Sequence, residues 1–352
     1  LIPYPAESPV HLLLARPDHE ALLADEARSE LPDARIVTAA AEEVRLELST
    51  EPPAGLDLAF AQQALPGAEP LEAASVSEWA RRAGERLIAR MEGVDGPWRF
   101  HGLGPDTARN GRTPRRLALV EAELRDVLKK RQRRLLRTWR SPDGPFLDGE
   151  VLAQLRLATP ERGDLSVAST GSTGWGRVLS PWAGGYTEIP RDLRPPSRAY
   201  RKLLEVERRW GRVIEPNETC VDLGAAPGGW TYLALERGAH VTAVDRSPLR
   251  DDLMADPRLT FVKGDAFRYQ PEARVDWLLS DIIAFPDRPL ALLEAWLGGR
   301  WCRSFVVTFK FRGDPPRDVV VAVKRLLRER TSVHGLRQLQ ENKNEFTAWG
   351  TI

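Results

Sequence analysis

Four aspartates close four apolar segments in the second half of the chain: Asp222 in CVDLG, Asp245 after HVTAV, Asp265 after FVKG and Asp281 after WLLS. Carboxylates repeated at strand tips suit a cationic, ribose-bearing ligand. They accept hydrogen bonds from a diol or an exocyclic amine and attract an ammonium or sulfonium group. Any one of them alone is ordinarily an N-cap or turn residue, but four in register along one sheet edge weaken that reading.

The loop after the first of these strands, GAAPGG at 224–229, adds a second signal. Glycine and alanine there let a ligand approach the backbone, and amides at the start of the helix from Trp230 can face a polar group. A dinucleotide fingerprint would require G-x-G-x-x-G. Here Gly224 is followed by Ala225, Ala226 and Pro227, and the proline removes an amide that a pyrophosphate cradle would use.

Holding these tips in one row requires a parallel sheet. The segments SRAYRKLLEVERRWG (helix), TCVDLG, HVTAVD, LTFVKGD and VDWLLSD (strands), PLALLEAWLGG (helix), SFVVTFKF (strand) and RDVVVAVKRLLRER (helix) alternate as an α/β domain does, with a short helix near Leu249. Two closing segments, LRQLQ and EFTAWGTI, are expected to add an antiparallel edge. His240 reads as strand-start packing.

Upstream, VHLLLAR, ARIVTAA, VRLELS, PWRFHGLG, EVLAQLRLA and LSVAST read as strands. Glu20 to Leu31 and SVSEWARRAGERLIARM read as helices, which together suggest one or two small α+β units. Proline and glycine punctuate Ser169 to Arg198 most heavily. The expected organisation is therefore an α+β region at 1–180, a connection at 181–196 and an α/β domain at 197–352.

Composition narrows the class. At 42% hydrophobic and 29% charged residues, the chain is that of an ordinary globular protein. No apolar stretch approaches membrane-span length and the first residues lack the pattern of a secretory signal, so the expectation is a cytoplasmic protein with no membrane association and, by default, a monomer. Cys220 and Cys302 lie among apolar neighbours and read as buried free thiols. The five histidines, at 11, 19, 101, 240 and 334, show no ligand spacing, so no metal is expected.

Net charge is only +1, but Arg112 to Arg140 holds eleven Lys or Arg against three acids. Leu117, Val120, Leu124, Val127, Leu128, Leu135 and Leu136 recur there at helical spacing, predicting one long amphipathic helix with a basic face. Such a face is either solvated or a phosphate-contacting surface.

DLGAAPGGWT resembles the S-adenosyl-L-methionine loop of the FtsJ-like ribose 2′-O-methyltransferases, and is most similar to the bacterial RlmM family, which methylates a cytidine ribose in large-subunit ribosomal RNA. PPSRAYRKLLEVE, WLLSDIIAFP, WCRSFVVTFKF and NEFTAWG resemble further segments of that family, so the resemblance covers roughly residues 180 to 352. It implies a Rossmann-like class I methyltransferase domain preceded by an RNA-binding region containing a THUMP domain. It also implies a cofactor site formed by Ser197, Asp222, Gly224, Ala226, Pro227, Gly228, Gly229, Trp230, Asp245, Asp265 and Asp281. Relatives often carry Cys where this chain has Ala226, a benign departure if the amide is what faces the cofactor.

The family's catalytic Lys-Asp-Lys-Glu tetrad carries over to Lys202, Asp281, Lys310 and Glu345. Arg198 and Arg201 are rivals for the place of Lys202, and Glu341 and Lys343 flank Glu345. On this reading Lys310, desolvated and close to a second cation, acts as the base on a ribose hydroxyl, and the two acids orient it. The sulfonium is already a good leaving group, so the protein has mainly to align the reacting atoms.

RNA as partner favours the phosphate-contacting reading of the basic helix. Trp175, Trp182 and Tyr186 could then stack on bases, or pack between domains. Competing readings are the same chemistry on transfer or messenger RNA, a catalytically silent RNA-binding factor in ribosome assembly, and a small-molecule methyltransferase. Intact tetrad positions count against the silent factor. The last would need neither the tetrad nor the basic run.

Overall fold

The computed structural model describes residues 9–142, 144–171, 174–313 and 317–352. The chain divides into two compact units at residues 188 and 189, within the stretch expected as a connection.

The first unit holds two sheets. Strands β1 (Val10–Leu14), β2 (Arg35–Ala40), β3 (Glu43–Glu47) and β4 (Gln63–Leu65) form the order β2-β3-β1-β4, with helix α1 (Glu20–Glu30) following β1. Strands β5 (Glu69–Glu72), β6 (Trp98–Leu103), β7 (Trp139–Arg140), β8 (Val151–Leu157) and β9 (Arg162–Ser169) form the order β5-β9-β8-β6-β7. The short strands β4, β5 and β7 carry no alternating pattern long enough to read from sequence.

Helix α2 (Val76–Arg90) starts where Ser75 caps it, its Oγ accepting from the Glu78 amide at 3.2 Å. It lies beside α4 (Arg115–Arg131), and the side chains Trp79, Leu87, Trp98, Leu117, Val120, Leu124 and Leu128 are buried in one core with the second sheet. A short α3 (Thr107–Asn110) precedes α4.

The basic run is not one helix. It breaks at Gln132, whose φ of −151° and ψ of 65° leave the helical region, and resumes as α5 (Arg133–Thr138). The end of α5, where Trp139 turns extended, leaves the Leu135 carbonyl to accept from Trp98 Nε1 at 2.8 Å. Charge is likewise divided. Arg125, Arg131, Arg134 and Arg140 pair with Glu121, Glu85, Asp95 and Glu150. Arg112, Arg115, Lys129, Lys130, Arg133 and Arg137 are exposed, with no ion pair among the described residues.

The aromatic residues of the connection are accounted for inside the first unit. Trp175 is 2% exposed and its ring lies 4.9 Å from that of His11. Trp182 lends its carbonyl to Gln63 Nε2 at 3.4 Å, and the Tyr186 ring covers Gly111, where a Cβ would come within 2.4 Å of it. Base stacking does not describe Trp175, because a Trp with so little exposed surface has no face to offer a base.

The second unit is one seven-stranded sheet. It comprises β10 (Thr219–Leu223), β11 (His240–Asp245), β12 (Leu259–Lys263), β13 (Val275–Ser280), β14 (Cys302–Lys310), β15 (Val333–Arg337) and β16 (Glu345–Thr351) in the order β12-β11-β10-β13-β14-β16-β15. The first five neighbours are parallel, and β16 runs antiparallel between β14 and β15. Helices α6 (Tyr200–Trp210), α7 (Gly229–Glu236), α8 (Asp251–Met254), α9 (Asp287–Gly298) and α10 (Arg317–Arg330) connect and cover it. Both cysteines are buried and free.

The penultimate strand lies earlier than LRQLQ suggests. Gln338 to Gln340 leave the sheet for a turn in which the Leu339 amide donates to Asn342 Oδ1 at 2.6 Å and the Gln340 amide to Glu205 Oε2 at 2.8 Å. No described helix is long and apolar enough to cross a membrane.

Candidate active site

The loop after β10 is shaped by contacts that only glycine permits. Gly224 has a φ of +74°, and a Cβ there would lie 2.3 Å from Ile282 Cγ1. Gly229 opens α7, and a Cβ on it would meet Ser197 Oγ at 2.3 Å. Trp230 Nε1 donates to the Ala199 carbonyl at 2.7 Å, tying the start of α7 to the segment that leads into α6. The result is a cavity of about 340 Å³ lined by Ser197, Ala199, Asp222, Gly224 to Pro227, Gly229, Trp230, Asp245, Asp281, Ile282, Ile283 and Lys310. That is within the usual range for a small-molecule site.

Asp222 is 2% exposed and accepts from Thr231 Oγ1 at 2.6 Å. Its carboxyl is pushed up to about 7, first by burial and then by the nearby Asp281 and Asp245 carboxylates, against the opposing Thr231 hydrogen bond. The cavity therefore carries an excess of negative charge that a cation would relieve. This fits an aminoacyl sulfonium such as S-adenosylmethionine, whose ammonium and sulfonium are both positive.

Asp245 uses one oxygen to accept from the Ala226 amide at 3.0 Å and the other from the Ser247 amide at 2.9 Å. The Ala226 amide is thus occupied by Asp245 rather than turned toward a ligand, which corrects the expectation placed on it. Its carboxylate still borders the cavity. Gly228 and Asp265 do not line it. Gly228 faces Leu253 Cδ1, and Asp265 caps the turn at 266–268 through the Phe267 amide at 3.0 Å while meeting Arg246 at 3.2 Å. For Asp265 the ordinary N-cap role is the one the geometry displays.

Four charged side chains meet at one end of the cavity. Lys202, 5% exposed, places Nζ 3.0 and 3.1 Å from the two Asp281 oxygens and 2.8 Å from Glu345 Oε1. Lys310 Nζ lies 2.9 Å from Asp281 Oδ1, 2.8 Å from the Asp281 carbonyl and 3.8 Å from Glu345 Oε2. Both acids bridge both lysines. Only Lys310 of the two lysines also lines the cavity.

The fold explains the meeting. Register along the antiparallel β14–β16 pair sets Lys310 directly opposite Glu345. Asp281 follows β13, the parallel neighbour of β14. The rivals are accounted for: Arg201 pairs with Glu341, and Lys343 is exposed, contributing its backbone amide to Glu345 Oε1 at 3.3 Å. Arg198 is exposed. Thr231 gives no signal in the sequence beyond its place in the first turn of the helix behind Asp222, and Ile282 and Ile283 none beyond being apolar residues just past a strand end.

Residues 195–295 match the family model described as FtsJ-like methyltransferase. Over 220 residues the chain is 30% identical to "Ribosomal RNA large subunit methyltransferase M" of Azoarcus sp. (strain BH72), covering 58% of this chain and 60% of that protein. A protein of the same name from Alkalilimnicola ehrlichii is 40% identical over 152 residues, 41% of each chain. The chain spans about half to three-fifths of the length of the first such relatives. The solved structure of TrmN from Thermus thermophilus aligns over 97% of this chain and 99% of its own, at 16% identity and a TM-score of 0.34, too remote to bear on the argument.

Proposed function

We propose that this chain, whose second unit carries an FtsJ-like methyltransferase domain, transfers a methyl group from S-adenosyl-L-methionine to a ribose 2′-hydroxyl, of a cytidine, in large-subunit ribosomal RNA. The observation that carries the reading is the cluster of Lys202, Asp281, Lys310 and Glu345, opening into the carboxylate-lined cavity through Lys310.

The bound cofactor would supply an activated methyl group on a positively charged sulfur. Asp222, Asp245 and the backbone around Gly224 and Gly229 hold and orient it, and Asp281 borders both the cofactor and the tetrad. Lys310 takes the hydroxyl proton onto Nζ, which requires the uncharged amine. With Lys202 fixed between Asp281 and Glu345, the cluster then holds two carboxylates and one ammonium, and the incoming proton restores charge balance. Lys202 is a positioning residue on this account. Lys310 is the general base.

The test is methyl transfer from labelled S-adenosylmethionine to large-subunit ribosomal RNA lacking its native modifications, followed by mapping of the label. Label on a single cytidine ribose supports the reading. Label only on transfer RNA would move the substrate, and no label on any RNA would reject the activity.

Gly229→Ala is expected to weaken S-adenosylmethionine binding about tenfold or more, because the new methyl must displace Ser197 at the cavity wall. Calorimetric titration checks it, and unchanged affinity would place the cofactor elsewhere.

Residues 1–180 we assign to RNA binding, as a THUMP-like region joined through 181–196 to the methyltransferase domain at 197–352, acting in the cytoplasm as a monomer. Support comes from Lys129, Lys130, Arg133 and Arg137 at the end of α4 and on α5, exposed and without an ion pair among the described residues. Replacing Lys129, Lys130 and Arg133 by alanine is expected to weaken binding of the same RNA and to flatten the slope of log affinity against log salt by about 2, the release of roughly 0.7 ion per lost phosphate contact. A filter-binding salt series reads this directly. An unchanged slope would return the run to a solvated surface.

A further inference from the structure

Two of the most exposed large apolar side chains in the described structure, Ile283 at 87% and Phe285 at 70%, stand on one short loop, 282–286, between Asp281 and α9. Its first residue, Ile282, packs on Gly224, and Ile283 borders the cavity. At 70% exposure, the Phe285 ring, four residues beyond an acid of the tetrad, stands mostly in water.

The same tetrad is flanked by cations of a different kind from those inside it. Arg198 lies four residues before Lys202, just ahead of α6, Arg312 follows Lys310 by two residues and Lys343 precedes Glu345 by two. All three are exposed, and none has an ion pair among the described residues. Single-stranded nucleic acid asks for this combination of apolar rings for base faces and unpaired cations for phosphates. An apolar protein partner would leave the three cations without a counterpart.

We propose that Phe285, supported by Ile283, is the platform on which an unpaired base of the substrate RNA stacks, so that the enzyme selects a nucleotide splayed from any helix. This rests on the RNA methyltransferase reading above. Lys310 is only 21% exposed in its side chain, so a ribose must be delivered inward to reach it. A nucleotide held in a stacked duplex has little freedom to do so, and Arg198, Arg312 and Lys343 guide the backbone on either side.

The test uses the full chain as wild type, Phe285→Ala and Phe285→Trp, with two readouts. On unmodified large-subunit ribosomal RNA, Phe285→Ala is expected to lower kcat/KM about five- to hundredfold, chiefly through KM, while Phe285→Trp keeps it. With a pyrimidine-rich oligoribonucleotide carrying a central 2-aminopurine, wild type and Phe285→Trp quench the probe. Phe285→Ala does not, and annealing the complementary strand abolishes quenching by every variant. S-adenosylmethionine affinity and melting temperature stay the same in all three.

Methylation with an unaltered KM and unaltered quenching in Phe285→Ala overturns the platform while leaving the reaction standing. A loss of S-adenosylmethionine affinity or of melting temperature in that variant also overturns it, since the ring would then be supporting the fold. A wild type that quenches the probe but methylates no RNA overturns the reaction and retains the platform.

Discussion

Lys310→Ala is expected to lower methyl transfer by about 10²- to 10⁴-fold, the usual range for removal of a general base, while S-adenosylmethionine affinity changes less than about threefold. The two parts belong together. Lys310 is the lysine of the cluster that faces the cavity, so its loss removes the proton acceptor. Lys202 still bridges Asp281 and Glu345 after the substitution, so the acids keep a counter-charge and the fold is retained. Single-turnover transfer with saturating cofactor, beside a calorimetric titration, separates the two quantities. Transfer within about tenfold of wild type would remove Lys310 from the role of base.

The second large effect is on the cofactor. With its carboxyl at about 7, Asp222 is mostly protonated at pH 6 and mostly ionised at pH 8. A bound cation favours the ionised form. S-adenosylmethionine affinity should therefore be nearly constant above pH 8 and fall about tenfold per unit as pH drops below 7, with a proton released on binding. Titrations in buffers of different ionisation enthalpy measure that proton. Asp222→Asn should bind weakly and without this pH dependence. A wild-type affinity that is flat from pH 5.5 to 8 would show that Asp222 does not answer to the cofactor's charge.

The sign for stability runs the other way. A carboxyl raised above its ordinary value of 3.8 stabilises the fold fully only below that value, and its contribution is lost as pH rises through about 7. Cofactor binding offsets the loss over the same interval.

Much of the site could be read from the sequence because its parts lie at strand ends. Asp222, Asp245 and Asp281 each terminate a parallel strand, and strand ends on one edge of a sheet are neighbours by topology. Asp265 obeyed the same pattern, but its carboxylate accepts from the Phe267 amide two residues away and meets Arg246. Lys202 could be placed only by resemblance: it comes from a helix, and nothing in its spacing announces that it is buried between two acids. Glu345, flanked by Glu341 and Lys343, depended on strand register, and the β14–β16 pairing sets it opposite Lys310.

The first unit was less legible. Its short strands pair through contacts distant in sequence, and the basic run hid a break at Gln132 that periodicity does not mark. For Trp175 the Gly- and Pro-rich surroundings left base stacking and packing as alternatives, and its burial beside His11, far away in the chain, is a contact no local pattern marks.

The antiparallel hairpin of β15 and β16 also makes the reactive cluster separable from the cofactor loop. Asp222, Asp245 and Asp281 stand on or just beyond strands paired with one another in the parallel part of the sheet, whereas Glu345 is held opposite Lys310 only by the β14–β16 ladder at the other side. A chain whose last hairpin is detached thus retains the cofactor loop yet lacks one of the acids flanking its lysines, so the capacity to react can be lost at that edge without the strands that carry the cofactor loop coming apart.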